Sequence, residues 1–239
     1  MRALDITKHK TNLTNILIDI YKDGTLGTFL GFKGGTAAML FYELPRFSVD
    51  LDFDLIVKMD NETEELDVFV NKMTKLLSSK YVVKDQSKKF NTLFWLVSYG
   101  DGLANIKVEI STRENPYNHY ELKSFYGVIL KVMVIQDMIA HKLVAVTERT
   151  SIANRDLFDS HYFLGTPFAA EINYDIIKHR TGKSPKEFYL FFYDFVSKID
   201  PKSVLSGLGE VLDENQKDWA KAKLIDELKG LIQRQIDII

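Results

Sequence analysis

The chain has 239 residues and no cysteine. That excludes disulfides, thiolate metal sites and a cysteine nucleophile, and it fits a cytoplasmic protein. No apolar run approaches the roughly 18 residues that cross a bilayer. Residues 1–19 mix Lys, His, Asp and Asn with apolar side chains and so read as lacking a signal-peptide core, and no membrane partner is expected. An excess of basic charge is also missing. The formal net charge is -2, so any nucleic-acid contact has to come from a local patch. The five histidines (His9, His119, His141, His161, His179) include no pair at metal-ligand spacing, so no zinc site is read. What is present, 46% hydrophobic and 27% charged residues, suits a globular protein of one large domain or two small ones.

The informative stretch is 32–55. Gly34, Gly35 and Thr36 open a short apolar helix, and Pro45 and Arg46 break it. A strand follows in which Asp50, Asp52 and Asp54 alternate with Leu51, Phe53 and Leu55. Side chains at i, i+2 and i+4 of a strand share a face, so three carboxylates line one face and apolar groups hold the other to a core. Like charges in a row cost stability unless a cation separates them. Carboxylate oxygens suit a hard divalent ion such as magnesium. A Gly-Gly-Thr turn at a helix start offers backbone N–H groups and the positive end of the helix dipole to a phosphate. Together these point to phosphoryl or nucleotidyl transfer. The plainer reading is a strand with one solvated face, which sits poorly with the scarcity of Asp in strands. For Asp54 alone, at the strand end, exposure to solvent is the expectation.

The run Lys33-Gly34-Gly35-Thr36 followed by Asp50-Leu51-Asp52-Phe53 resembles the signature of the DNA polymerase β-like nucleotidyltransferases. With Arg46-Phe47-Ser48-Val49 included, it resembles more narrowly the AbiEii/AbiGii-type toxins of type IV toxin–antitoxin and abortive-infection systems. Downstream, Ala140-His141-Lys142-Leu143, Arg149 and Arg155-Asp156-Leu157-Phe158-Asp159 extend the likeness, which spans about 30–164. The resemblance implies a magnesium-dependent enzyme, with manganese as a substitute. Such an enzyme moves a nucleoside monophosphate from a nucleoside triphosphate to an acceptor hydroxyl and releases pyrophosphate. It implies Asp50 and Asp52 as metal ligands and a third carboxylate from a neighbouring strand. It further implies Lys142 on the triphosphate together with Gly34, Gly35 and Thr36. Asp156 would orient Lys142 or a nearby arginine, with Asp159 as its rival. RNA, tRNA in particular, is the implied acceptor, and a separately encoded antitoxin the implied partner. A small-molecule or protein acceptor stays open, as does a nucleotide-binding module without turnover.

Glu109 is the best candidate for the third carboxylate. Alternation over 105–110 puts Lys107 and Glu109 on one face and Ile106, Val108 and Ile110 on the other. As a third ligand Glu109 could also take the proton of the attacking hydroxyl; its bland alternative is a Lys–Glu surface face. Lys142, in an apolar helix, would on its own read as a snorkelling lysine. The aromatic cluster at 188–195 reads as core rather than a base-stacking platform. Lys178, His179, Arg180, Lys183 and Lys186 form the one basic cluster, a candidate RNA contact or a plain solvated surface.

Periodicity predicts helices at 5–22 and 61–77, the latter with Val68, Phe69, Met73, Leu76 and Leu77 as its buried stripe. Strands are predicted at 25–32, 81–84, 92–99, 104–111 and, as a single element, 122–133. After Val134 the pattern is helical: 136–149, 153–164, 173–179, 184–199 and 224–238, with 213–218 as a loop or a solvated helix start. The expected fold class is therefore α+β: a polymerase β-like nucleotidyltransferase domain, a mixed sheet flanked by helices, over 1–133. A helical domain over 134–239 would follow and contribute Lys142 and Asp156 to the site.

Overall fold

A computed structural model describes residues 4–59, 64–149 and 153–239. The chain forms two compact units. One comprises residues to Glu43 and Ser48–Met133; the other comprises Leu44–Phe47 and Val134–Ile239. The first three residues of the helix predicted at 61–77, Glu62 among them, lie outside the described residues.

The first unit is a seven-stranded mixed sheet with helices. In chain order its elements are α1 (Ile6–Lys22), the single turn α2 (Leu26–Phe29), β1 (Leu30–Lys33), α3 (Gly34–Phe41), β2 (Leu51–Leu55) and α4 (Glu64–Ser78). Then come β3 (Val82–Lys89), β4 (Thr92–Ser98), β5 (Ile106–Ser111), β6 (Tyr120–Phe125) and β7 (Val128–Met133). The strand order is β3-β4-β5-β2-β1-β7-β6. The β2–β5 and β1–β7 pairs are parallel and the others antiparallel. One sheet face is dry. Phe32, Phe53 and Trp95 are fully buried there, together with Leu13, Ile16, Leu17 and Ile20 of α1 and Leu66 and Met73 of α4. Trp95 donates its indole N–H to Thr74 Oγ1 of α4 at 2.9 Å, and the Tyr21 hydroxyl of α1 reaches Leu30 O and Lys131 O, so polar groups on this face are satisfied.

Three local expectations change. The segment 25–32 is a helical turn before a short strand. Residues 122–133 are two strands, because Tyr126 and Gly127 both take positive φ (45° and 81°) and close a tight hairpin. Val68 is 61% exposed, and Leu66 takes the buried position instead. Val68 lies a step outside the apolar stripe that Leu66, Phe69, Met73 and Leu77 form at helical spacing.

The second unit packs α5 (Ile135–Glu148), α6 (Asn154–Leu164), α7 (Tyr174–Thr181), α8 (Pro185–Ser197) and α9 (Glu214–Ile238). Phe188, Tyr189 and Phe192 of α8 are fully buried, so half of the six aromatics of the cluster are core, while Phe191 is exposed. A capping box between Ser184 and Glu187 starts α8. Another, between Asp213 and Gln216, starts α9 ten residues earlier than its apolar periodicity suggests, so the polar stretch is the helix's solvated first turns. The Leu44–Phe47 segment is tied into this unit by the Phe47 N–H donating to Val211 O at 3.0 Å and by Gln216 donating to Pro45 O.

Candidate active site

In the first unit the sheet's second face carries the carboxylates. Register places Lys33 of β1, Asp52 of β2, Glu109 of β5 and Phe94 of β4 in one row across four strands. Asp52 and Glu109 therefore project side by side from parallel neighbours, which lie about 4.8 Å apart. Lys107 and Glu109 stand on the less buried face of β5, opposite Ile106, Val108 and Ile110.

Gly34 begins α3 directly against Asp52. Its φ is +80°, and a Cβ there would come within 2.8 Å of Asp52 Cβ, so both backbone shape and space demand glycine. The N-cap residue Lys33 makes no capping bond with its side chain at this helix start. The Thr36 hydroxyl is not directed to a ligand. It is buried, donates to Asp50 O and lies 2.9 Å from Ser48 Oγ, tying α3 to the chain that enters β2. The Thr36 side chain is thus engaged within the protein.

Asp50 and Asp54 differ from Asp52 in their protein partners. Asp50 Oδ1 accepts from the Lys107 N–H at 3.3 Å, and its Oδ2 is 3.7 Å from Lys107 Nζ. Asp54 is buried, not solvated as the sequence suggests. Lys33 Nζ reaches its Oδ1 at 2.5 Å, and Tyr120 OH (2.7 Å) and Asn118 Nδ2 (3.1 Å) donate to Oδ2. A cavity of ≈ 410 Å³, bordered by Asp54, Thr112, Asn118 and Tyr120, opens beyond it. Behind Asp50, the fully buried His9 bridges Val49 O (2.8 Å) and the Tyr99 hydroxyl (2.9 Å). Burial lowers its pKa, against the pull of the Val49 carbonyl and Asp50, so it stays neutral and props the strand entrance.

Among the described residues, no group of three or more His, Asp or Glu gathers as a metal centre. The carboxylate pair Asp52–Glu109, with oxygen donors in register and a glycine turn beside it, nevertheless fits a hard divalent cation in chemistry.

The second unit holds a different cluster. Arg46 grips Asp159 with two parallel bonds, Nε to Oδ1 at 2.5 Å and Nη2 to Oδ2 at 2.6 Å. Lys142 Nζ stands 2.8 Å from Asp159 Oδ2 and 3.4 Å from Asp156 Oδ1, and Arg149 Nε lies 3.2 Å from Asp156 Oδ2. Asp156 and Asp159 are both buried. Desolvation opposes the charge on Lys142, but Asp159 and Asp156 outweigh it and raise its pKa. Desolvation likewise opposes ionisation of Asp159, and Arg46 and Lys142 override it and lower its pKa. Lys142 thus meets both aspartates of the Arg-Asp-x-x-Asp segment. The sequence reading gave Arg46 no role in this cluster, although it stands in the Arg46-Phe47-Ser48-Val49 run that carries the narrower resemblance. In the basic cluster, Arg180 is already engaged by Glu148 and by His141.

Comparison with known proteins supplies the family. No curated protein is significantly similar in sequence. A crystal structure of a candidate nucleotidyltransferase from H. pylori superposes with a TM-score of 0.63 at 24% identity, covering 99% of this chain and 96% of that one. JHP933 from Helicobacter pylori gives 0.59 at 20% identity, covering 99% and 94%. At these identities the likeness speaks for the fold. The sequence profile of the nucleotidyl transferase AbiEii toxin of type IV toxin–antitoxin systems matches residues 16–229, and the chain therefore belongs to the AbiEii nucleotidyltransferase toxin family.

Proposed function

We propose that this nucleotidyltransferase moves a nucleoside monophosphate from a nucleoside triphosphate to an RNA hydroxyl, with tRNA as acceptor and pyrophosphate as leaving group. The observation that carries the reading is the contact of the Gly34 helix start with Asp52, itself in register with Glu109. The N–H groups of Gly34, Gly35 and Thr36 receive triphosphate oxygens. Asp50, Asp52 and Glu109 would hold magnesium or manganese, which when bound supplies charge neutralisation at the phosphates. Lys107 competes for Asp50 in the free protein. Glu109 accepts the proton of the attacking hydroxyl, so the oxygen–phosphorus bond forms as the bond to pyrophosphate breaks. Lys142 adds a point charge to the triphosphate, and Asp156 shares in orienting it. A separately encoded antitoxin would restrain this activity in the cell.

Label transfer tests the reading. The protein is incubated with magnesium, each α-phosphate-labelled ribonucleoside triphosphate in turn, and total tRNA, beside an Asp52→Ala control. Label on RNA that vanishes in the control is the expected result and identifies the base. Label on the protein, or on a small molecule alone, would replace the acceptor. No label despite triphosphate binding would remove RNA transfer from the reading.

A further inference from the structure

We propose that Arg46 is a positioning residue for Lys142, acting through Asp159. The proposal rests on the reading of Lys142 as a triphosphate ligand. Arg46 and Asp159 are 5% and 0% exposed, so neither meets substrate directly. The Lys142 side chain keeps 14% exposure. A bidentate guanidinium fixes the plane of a carboxylate as well as its location. The Oδ2 that Arg46 Nη2 holds at 2.6 Å is the same oxygen that stands 2.8 Å from Lys142 Nζ. Arg46 is itself pinned, with Nη1 donating to Phe47 O at 3.0 Å. The ammonium therefore takes its position from a carboxylate whose own position is set by the arginine.

Charge gives the arrangement a second role. Arg46, Lys142 and Arg149 face Asp156 and Asp159, three cations against two anions. Without Arg46, the contact to Asp159 that remains in this cluster is that of Lys142. A lysine committed to two carboxylates has little charge left for a phosphate. Arg46 shares Asp159 Oδ2 with Lys142 and so weakens the hold of that carboxylate on the ammonium.

The test uses the full chain as Arg46→Met, Arg46→Lys, Asp159→Asn and Lys142→Gln variants, each checked for folding by circular dichroism. Binding of ATP, GTP, CTP and UTP with magnesium is measured by calorimetry. The Lys142 titration is followed by NMR of ¹³Cε-labelled lysine, with Lys142→Gln assigning the signal. Arg46→Met is expected to weaken triphosphate binding about 10- to 100-fold, the worth of one charged hydrogen bond to phosphate. Arg46→Lys, which keeps the charge and loses the fork, falls between it and the unaltered chain. The Lys142 titration should move down in Asp159→Asn, which loses an attracting anion, and should not move down in Arg46→Met, which loses a repelling cation. A merely structural pair would move neither affinity nor titration. Folded Arg46→Met and Arg46→Lys with unchanged triphosphate affinity and an unchanged Lys142 signal would overturn the proposal. Should Arg46→Met fail to fold, Arg46→Lys and Asp159→Asn decide by the same criteria. Unchanged binding in Lys142→Gln would instead refute the role of Lys142, while the NMR titration would still decide whether Arg46 positions it.

Discussion

On the open face of the sheet, Asp52 and Glu109 stand as like charges on neighbouring strands; in the helical unit, Asp159 is enclosed by Arg46 on one side and Lys142 on the other. Both arrangements put carboxylates where electrostatics is strong, to opposite ends. The sheet pair sets two carboxylates in register on parallel strands, a donor set that suits a hard divalent cation. The helical pair is buried and matched, and its removal strands a charge away from water. Acidic residues in this one chain thus divide between a pair in register on a sheet face and carboxylates buried against basic side chains. Asp54, on the same face as Asp52 but closed in by Lys33, Tyr120 and Asn118, belongs with the second kind.

The sharpest way to break the comparison is Asp52→Asn. Label transfer should fall by about 10³-fold, the scale of losing metal-borne charge stabilisation. The loss of activity should exceed any loss of melting temperature, because Asp52 is only half-buried; a large drop in melting temperature would place Asp52 among the structural carboxylates. The reverse pattern is expected of Arg46→Ala and Asp159→Ala. Breaking a buried pair costs about 3–5 kcal/mol, which lowers the melting temperature by about 10 °C in a chain of this size. A melting curve unchanged in both would show the pair to be dispensable for folding.

Acid sharpens the contrast further. Asp159 has a folded pKa below its ordinary value, so its contribution to stability is complete above about pH 4 and drains away as pH falls through the lowered folded value. Lys142 is raised, so its share is complete below its ordinary value of 10.5 and is lost only as pH rises through a folded value above that. Urea unfolding at pH 3 to 6 should therefore show a steeper acid limb in the unaltered chain than in Asp159→Asn; identical limbs would contradict the pairing.

Smaller effects follow. Gly34→Ala should cost about 1–2 kcal/mol from its left-handed backbone, and it should lose triphosphate binding as well because the new methyl group meets Asp52; calorimetry reads both. Lys107→Ala removes a partly exposed partner of Asp50 and should change stability by less than about 1 kcal/mol.

The legible parts were those set by short-range rules. Alternation separated Asp50, Asp52 and Asp54 from their apolar neighbours, and Glu109 and Lys107 from theirs, because the strand period of two acts within a few residues. The buried half of the aromatic run of α8 was legible as core on the same footing. The hairpin at Tyr126 and Gly127 was missed because its apolar pattern runs on through the turn, and only the backbone angles interrupt it. Apolar periodicity placed α9 only from 224 and left 213–218 open between a loop and a solvated helix start; the capping box of Asp213 and Gln216 decides for the helix. Arg46 was out of reach for a different reason: its partner Asp159 is 113 residues away.

By itself the sequence determined which residues carry charge on which face of their own strand or helix, and that a glycine turn precedes the aspartates. Those are properties of backbone periodicity and local conformational freedom. Only the tertiary structure decided that β5 lies beside β2, which sets Glu109 against Asp52 with α4, β3 and β4 between them in the chain. It alone also decided that Asp54 is closed in by Lys33, Tyr120 and Asn118, that Asp159 is held by Arg46 and Lys142, and that Asp52 has Glu109 in register beside it. Pairing across long loops is a matter of shape and burial, because a charge buried away from water needs a partner wherever the fold brings one.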